Sequence, residues 1–363
     1  GGVPRLQLRH PRGGLRPGDS TAEGGAVGQE RGRRPGMVDV ARRAGVSHQT
    51  VSRVLNNPAS VRPATRERVL AAIEELGYRR NMAARALVTD SSRMIGVMTA
   101  FSHFYGPAST TAAIELAARQ SNYGTLVTSL QVGDEEEIDE ALGFLVNRGV
   151  DGLIAVAPST GIARAAGRTA RGVPMVVVAD GFAPSERVHV VSVDQGLGAG
   201  MAVRHLVGRG RRRIAHIAGP GDWFDARARA AGWRAALEDS GLEAAGVVEG
   251  DWGPESGYRA GVELLTGRAG QAPDAVFCAN DLMALGLLAA ARDLGVDVPG
   301  DLAVVGYDDT AGAGFFSPPL TTLGQPFDEL GRLCLEALLE GLGGAAGRSH
   351  SISPTLRVRR SSG

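Results

Sequence analysis

The chain has 363 residues, 43% hydrophobic, 21% charged and 5% aromatic, which suffices for two or three domains with sizeable cores and excludes a disordered or fibrous protein. Its longest apolar runs, such as Met175 to Ala179 and Leu285 to Ala291, fall well short of the ~20 residues of a membrane span, so no membrane partner is expected. The formal net charge is zero, yet residues 1 to 90 carry +8 and residues 91 to 363 carry −8; a basic head before an acidic body is the charge footprint of nucleic-acid binding by the first segment.

Residues 1 to 35 are rich in Gly, Pro and Arg with almost no periodic apolar positions, and are expected to form a disordered extension. From Met37 short helices are expected: Val38 to Ala44, a turn at Gly45-Val46-Ser47, then His48 to Leu55. Gly45 can take the positive φ of a tight turn and Ser47 can cap the second helix. Val40, Ala41, Val46, Val51 and Val54 fall where they can pack together, leaving His48, Gln49, Ser52 and Arg53 facing outward. This pattern is a helix-turn-helix. Pro63 opens a third helix with Val69, Ala72, Ile73 and Leu76 as its stripe, closed by Gly77. A DNA-binding domain over 36–80 is therefore expected, followed over 81–92 by a short helical stretch and linker with too little apolar surface to fold without a partner.

From Met94 onward short apolar runs (94–100, 150–156, 175–178, 189–193, 214–218, 275–278, 302–307) alternate with helical stretches (110–120, 134–147, 197–207, 226–239, 256–265, 282–294). Such alternation predicts an α/β body of parallel, helix-covered sheets. About 270 residues are too many for one such core, so two doubly wound subdomains with a ligand cleft at the carboxyl ends of the strands are expected.

The run Asp39-Val40-Ala41-Arg42-Arg43-Ala44-Gly45-Val46-Ser47-His48-Gln49-Thr50-Val51-Ser52-Arg53-Val54-Leu55-Asn56 strongly resembles the lactose repressor family of bacterial transcription regulators. The resemblance extends over about 36–360 through Arg227 to Trp233, Gly250-Asp251-Trp252, Ala279 to Gly286, Val304 to Thr310 and Pro318 to Thr322, closest to the sugar-responsive members. It implies a helix-turn-helix head and a periplasmic-binding-protein-like effector and dimerisation body over 93–363. The N-subdomain would span 93–191 and 325–353, the C-subdomain 192–324 and 354–360. It implies that His48, Gln49 and Arg53 read bases in the major groove while Ser47, Thr50, Asn56 and Thr65 meet the backbone, with Ser52 on the same DNA-facing surface. Arg and Gln chemistry suits such readout, since each can form paired hydrogen bonds to a base edge. The hinge residues Asn81, Ala84 and Leu87 would enter the minor groove, Leu87 as a wedge; Arg80 stands where the family often has Pro. Around the cleft the resemblance places Phe104, Pro107, Asp180, Arg229, Trp252, Asn280, Asp308, Gln325 and Phe327. Carboxylates, a guanidinium and an amide can satisfy sugar hydroxyls, and an indole can cover the apolar ring face. Asp308, Asn280 and Arg229 are the strongest candidates, whereas Asp281 and Asp309 could instead cap helices or turns.

The resemblance thus implies a homodimeric, cytoplasmic, nucleoid-associated repressor. Its partners would be pseudo-palindromic double-stranded operator DNA and a small effector: a galactoside-like sugar inducer is favoured, with a purine or other corepressor as the alternative. No leucine heptads follow Arg360, so a tetramerising helix is not expected.

Other chemistries find little support. There is no lysine, which excludes a Walker-A loop, a Schiff-base lysine and a Ser-Lys dyad. Gly196-Leu197-Gly198-Ala199-Gly200 has the wrong spacing for a dinucleotide fingerprint, with Met201 where the third glycine belongs, and no Gly-x-Ser-x-Gly elbow exists. Cys278 and Cys334 form no disulfide or ligand framework, and the histidines, among them His103, His189, His205 and His216, show no metal-ligand spacing. No cofactor, metal or catalytic residue is expected. A soluble sugar-binding protein or a sugar-acting enzyme on the same body is the competing class, but neither needs the basic helix-turn-helix head.

Overall fold

The computed structural model describes residues 35–79, 91–100, 104–131, 134–156, 159, 161, 172–267 and 272–363. The expected extension over 1–35, apart from Pro35, and the hinge residues Asn81, Ala84 and Leu87 lie outside the described residues. The chain divides into two compact units, Gly1–Asn81 and Met82–Gly363.

In the first unit, α1 (Met37–Ala44), α2 (His48–Asn56) and α3 (Pro63–Leu76) enclose a small core. Asp39 Oδ2 accepts from the Gly36 amide at 2.8 Å, holding the start of α1. Gly45 ends it at φ 64°, letting the Val46 amide reach back to the Ala41 carbonyl at 3.0 Å. Ser47 Oγ then accepts from the Thr50 amide at 3.2 Å, capping α2. Val40, Val51, Val54 and Val69 are buried with Ala41, Ala44 and Ala72. Val46, Ile73 and Leu76, read as core from sequence, are only half-buried, at the margin of so small a core. An exposed ion pair between Arg43 and Glu75 links α1 to α3.

The second unit holds two six-stranded sheets. The first has the order β11-β5-β4-β3-β1-β2 and is parallel throughout: β1 (Met94–Ala100), β2 (Gly124–Leu130), β3 (Gly152–Val156), β4 (Met175–Val178), β5 (Val188–Val193) and β11 (Ser349–Ile352). Helices α4 (Tyr105–Gln120) and α10 (Phe327–Leu342) pack on one another, and α5 (Glu135–Asn147) packs on β1 and β2. The second sheet, β12-β10-β9-β8-β6-β7, comprises β6 (Ile214–Ala218), β7 (Val247–Glu249), β8 (Ala275–Cys278), β9 (Ala303–Asp308), β10 (Thr321–Gly324) and β12 (Thr355–Arg357), with only β12 antiparallel. It is served by two packed helix pairs, α6 (Gln195–Gly208) with α7 (Phe224–Asp239), and α8 (Pro254–Thr266) with α9 (Asp281–Asp293).

The chain passes between the sheets three times: after Val193, after Gly324 and after Ile352. The first passage falls two residues beyond the expected 191, because Ser192 and Val193 still pair with β11. Five strands lie outside the sequence-predicted set. Four of them, β2, β7, β11 and β12, are sheet edges and largely exposed, so they lack the apolar run that marks a strand buried on both faces. The fifth, β10, is buried but polar: Thr321 Oγ1 engages Ser362 Oγ at 2.7 Å and Thr322 Oγ1 donates to Asp281. Helix α10 was also absent from that set. The Gly196–Gly200 run opens α6 as a packing surface, since a Cβ at Gly232 of α7 would lie 2.3 Å from the Gly196 carbonyl oxygen.

Because Gly45 occupies the left-handed region without any neighbour near its Cβ position, Gly45→Ala introduces strain without a clash. It is expected to destabilise the first unit by roughly 1 kcal/mol. Hydrogen exchange read separately for α1–α2 and for the α/β body checks this; unchanged protection of α1 and α2 would contradict it.

Candidate functional site

A cavity opens at the carboxyl ends of both sheets, where open parallel sheets place their ligand sites. All nine residues that the resemblance assigns to the cleft line it: Phe104, Pro107, Asp180, Arg229, Trp252, Asn280, Asp308, Gln325 and Phe327. Each follows from the topology. Phe104 and Pro107 sit where α4 begins, Asp180 follows β4, Arg229 lies on α7, Trp252 follows β7, Asn280 follows β8 and Asp308 ends β9. Gln325 and Phe327 occupy the second passage between the sheets.

The polar wall centres on Arg229, which is 4% exposed. Its Nε donates to Gln195 Oε1 at 2.9 Å and its Nη1 to the Ala279 carbonyl, while Nη2 lies 4.0 Å from Asp308 Oδ1. The guanidinium carbon stands 3.8 Å from the Tyr307 ring centre. Gln195 extends the network by donating from Nε2 to Gln325 Oε1 at 3.2 Å and to Asp225 Oδ2 at 3.4 Å. Gln325 in turn donates to Asp308 Oδ1 at 2.7 Å, and the Gln195 amide donates to Asp180 Oδ2 at 2.9 Å. Gln195 and Asp225 were missed by sequence reasoning; Gln195 stands beside Asp194, the N-cap of α6, and shows no signal until the fold brings it over Arg229.

Asn280 lines the cavity, but its amide serves the scaffold: Oδ1 accepts from the Met283 amide at 2.8 Å, capping α9, and Nδ2 donates to the Trp252 carbonyl at 2.9 Å. Asp281 is not the cap. It is fully buried and accepts from the Thr310 amide at 2.7 Å and from Thr322. Asp309 pairs with Arg359 at 2.6 Å.

The apolar wall carries Phe104, Tyr105, Trp223, Trp252 and Phe327. Trp223 and Trp252 lie 5.2 Å apart at 58°, and Tyr105 meets Phe327 edge to face at 5.8 Å. Trp252 adopts φ 71° and is 5% exposed, and its indole Nε1 has no hydrogen-bond partner among the described residues. Asp308 adopts φ 109°. Strain of this kind, at two residues of one cavity, marks a functional constraint.

Burial raises the acids of this wall. Desolvation pushes Asp308 up to about 6 against the opposing pull of Arg229 and Gln325, and pushes Asp281 up to about 7, with the Asp308 charge adding to it. Asp225 and Asp180 are raised for the same reason.

In the first unit His48, Gln49, Arg53 and Asn56 are exposed along α2, while Thr50, Ser52 and Thr65 are half-buried. Ser47 spends its hydroxyl on the cap and on Thr50 Oγ1 at 2.9 Å, and Ser52 Oγ accepts from Asn56 at 3.2 Å.

Two family models match the chain: "Bacterial regulatory proteins, lacI family" over residues 36–81 and "Periplasmic binding protein-like domain" over 203–362. The chain is 35% identical over 330 residues to the HTH-type transcriptional repressor PurR of Klebsiella pneumoniae strain 342, covering 89% of this chain and 95% of that protein. It is also 35% identical over 327 residues to the lactose operon repressor of Escherichia coli K12, covering 89% of each. A crystal structure of the lac repressor dimer bound to operator and the anti-inducer ONPF matches with a TM-score of 0.81 at 33% identity, over 91% of this chain and 99% of that one. A complex of the transcriptional regulator CelR with cellobiose matches with a TM-score of 0.67 at 33% identity, over 90% of this chain and all of the other.

Between its unfolded value of 3.8 and its folded value of about 6, Asp308 holds its proton in the native state after the unfolded chain has released it. Stability is therefore expected to fall as pH rises from about 4 to about 6 on this account. Asp308→Asn removes the titration and should flatten that part of the stability–pH curve in denaturant melts; an unchanged slope contradicts the assignment.

Proposed function

Since the chain belongs to the lacI family of bacterial regulatory proteins and is a DNA-binding transcriptional repressor, not an enzyme, we propose that its cleft takes a small polyhydroxylated effector, a sugar, whose binding releases the protein from its operator. One observation carries this reading: a buried guanidinium set among Asp180, Asp225 and Asp308 and two glutamines, facing an indole wall with an unpartnered Nε1 donor. Raised carboxylates and amide oxygens suit a ligand that brings many O–H donors, and the indole suits its apolar face. A flat purine would instead favour two parallel rings; the aromatic pairs of this cavity cross at 58–79°.

Residues from both sheets and two of the passages between them line the cavity, so a ligand that prefers one disposition of the subdomains shifts the equilibrium by its differential affinity. The protein acts as a homodimer on a pseudo-palindromic site, the half-sites set by its two-fold axis. His48, Gln49 and Arg53 face bases, Ser47, Thr50, Asn56 and Thr65 the backbone, and Asn81, Ala84 and Leu87 the minor groove, with Ser52 also on the DNA-facing surface. It works at the nucleoid in the cytoplasm, where the DNA is; no described helix is long and apolar enough to cross a membrane.

Arg53→Ala is expected to cost about 1–3 kcal/mol of operator affinity and to relax preference at one base position. Electrophoretic mobility shifts with permuted operators measure this, and a uniform loss across all sequences would make Arg53 a backbone contact.

Calorimetry with galactosides, glucosides, pentoses and purine bases, followed by operator release, tests the effector. A sugar that binds wild type and releases operator is expected, with Arg229→Ala retaining operator affinity but losing release. A purine that tightens DNA binding would reverse both the ligand and the sign of the switch.

A further inference from the structure

We infer that the N-terminal sheet carries a divalent transition-metal site made by His189, His350 and Glu340, of the class that holds Zn²⁺. The three are spread over more than 150 positions of sequence and come from three elements: His189 from β5, His350 from the edge strand β11 and Glu340 from the last turn of α10. The strand register places both histidines on one face. His350 pairs with Val191 in parallel alignment, and Val191 lies two residues from His189, hence on the same side of the sheet. Val191 packs with Leu330, Cys334 and Leu338 of α10, so that side is the one α10 covers.

One ligand atom from each residue lies within 4.8 Å of the others. A tetrahedral centre with bonds of about 2.0–2.1 Å brings its ligand atoms to about 3.3 Å, so rotation of exposed Glu340 and half-buried His350 closes the set around an ion. Two imidazoles and a carboxylate leave a fourth position for water.

His189 is fully buried, and neither of its ring nitrogens has a hydrogen-bond partner among the described residues; the same holds for Nε2 of His350. The Ala345 backbone approaches the His189 ring, yet not in the geometry of a hydrogen bond. A buried imidazole with both nitrogens unsatisfied is costly in a native protein, and its retention points to a partner such as an ion. Gly341 adds room: a Cβ there would stand 3.2 Å from His189 Nε2 and 3.2 Å from Pro174 Cβ. The positive charge acting on His189 from its own surroundings comes from exposed Arg348 and from His350, itself a ligand.

An ion here ties the end of α10 and the edge strand β11 to β5. Strand β11 leads straight into the last passage between the subdomains, so the site anchors one side of that passage.

The test uses the full chain, stripped with a chelator and titrated with Zn²⁺ against a chromophoric chelator, with Co²⁺ as the spectroscopic probe. One equivalent of Zn²⁺ is expected, with the strong d–d bands of a four-coordinate Co²⁺ form and a Tm that rises with Zn²⁺ concentration. Glu340→Gln and His350→Gln change residues outside the buried core and should each weaken Zn²⁺ binding at least about tenfold, the lower bound set by loss of mere outer-sphere partners. Binding of less than one equivalent by wild type, or Zn²⁺ affinity and Co²⁺ spectra unchanged in both variants, overturns the site.

Discussion

The organising constraint of the α/β body is the burial of one guanidinium. Arg229 lies between two sheets with little access to water, so protein groups must compensate its charge. Its Nε and Nη1 donate to Gln195 and the Ala279 carbonyl, Asp308 Oδ1 stands 4.0 Å from Nη2, and the Tyr307 ring lies beneath. Gln195 stands at the first passage between the sheets and Gln325 at the second, and the two are bonded to each other. Asp180, from the first sheet, accepts from Gln195, and Asp225, from the second, accepts from the Asp180 amide at 3.3 Å. A single buried cation thus fixes how the passages and both sets of strand ends meet.

The same arrangement explains the chemistry of the cavity. One positive charge stands against three carboxyl groups, Asp308 buried and Asp180 and Asp225 half-buried, and desolvation raises the pKa of each against the pull of Arg229. A ligand with several hydroxyl donors offsets that desolvation without adding charge. Gln195 and Gln325, which line the cavity, sit on the passages between the sheets, so a ligand contacting them acts on the links that join the subdomains.

The scaffold around this centre is built from ordinary local rules. Asn280, Asp194 and Ser47 cap α9, α6 and α2 through side-chain oxygens. The case of Asn280 shows how capping and cavity lining compete for one residue: it lines the cavity, but its amide is spent on Met283 and Trp252. Its contribution is to hold the Trp252 backbone at its left-handed φ, and through it the indole. Asp281 acts at a similar remove, fastening the Thr310 loop and Thr322 rather than reaching the cavity.

What the sequence by itself determined is whatever depends on neighbours along the chain. The turn chemistry of Gly45 and Ser47, the valine spacing of α1 and α2, and the unbroken apolar runs of the central strands are local facts, and they carry the helix-turn-helix, the parallel sheets and the membership of the family. Four cavity residues, Arg229, Trp252, Asn280 and Asp308, lie inside contiguous motifs of that family, while Phe104, Pro107, Asp180, Gln325 and Phe327 were placed only by the wider resemblance. The edge strands escaped because a half-exposed strand has no apolar run to show, and Gln195 and Asp225 escaped because nothing in their own neighbourhoods distinguishes them from solvated residues. His189, Glu340 and His350 display no ligand spacing, so isolated packing or surface roles were expected for histidines such as His189. Only the parallel register of β5 with β11, beneath the last turn of α10, brings their donor atoms within 4.8 Å of one another. Tertiary structure decided these things because parallel strands are joined by long connections: their contacts link residues far apart in the chain, and no local pattern encodes which of them will meet.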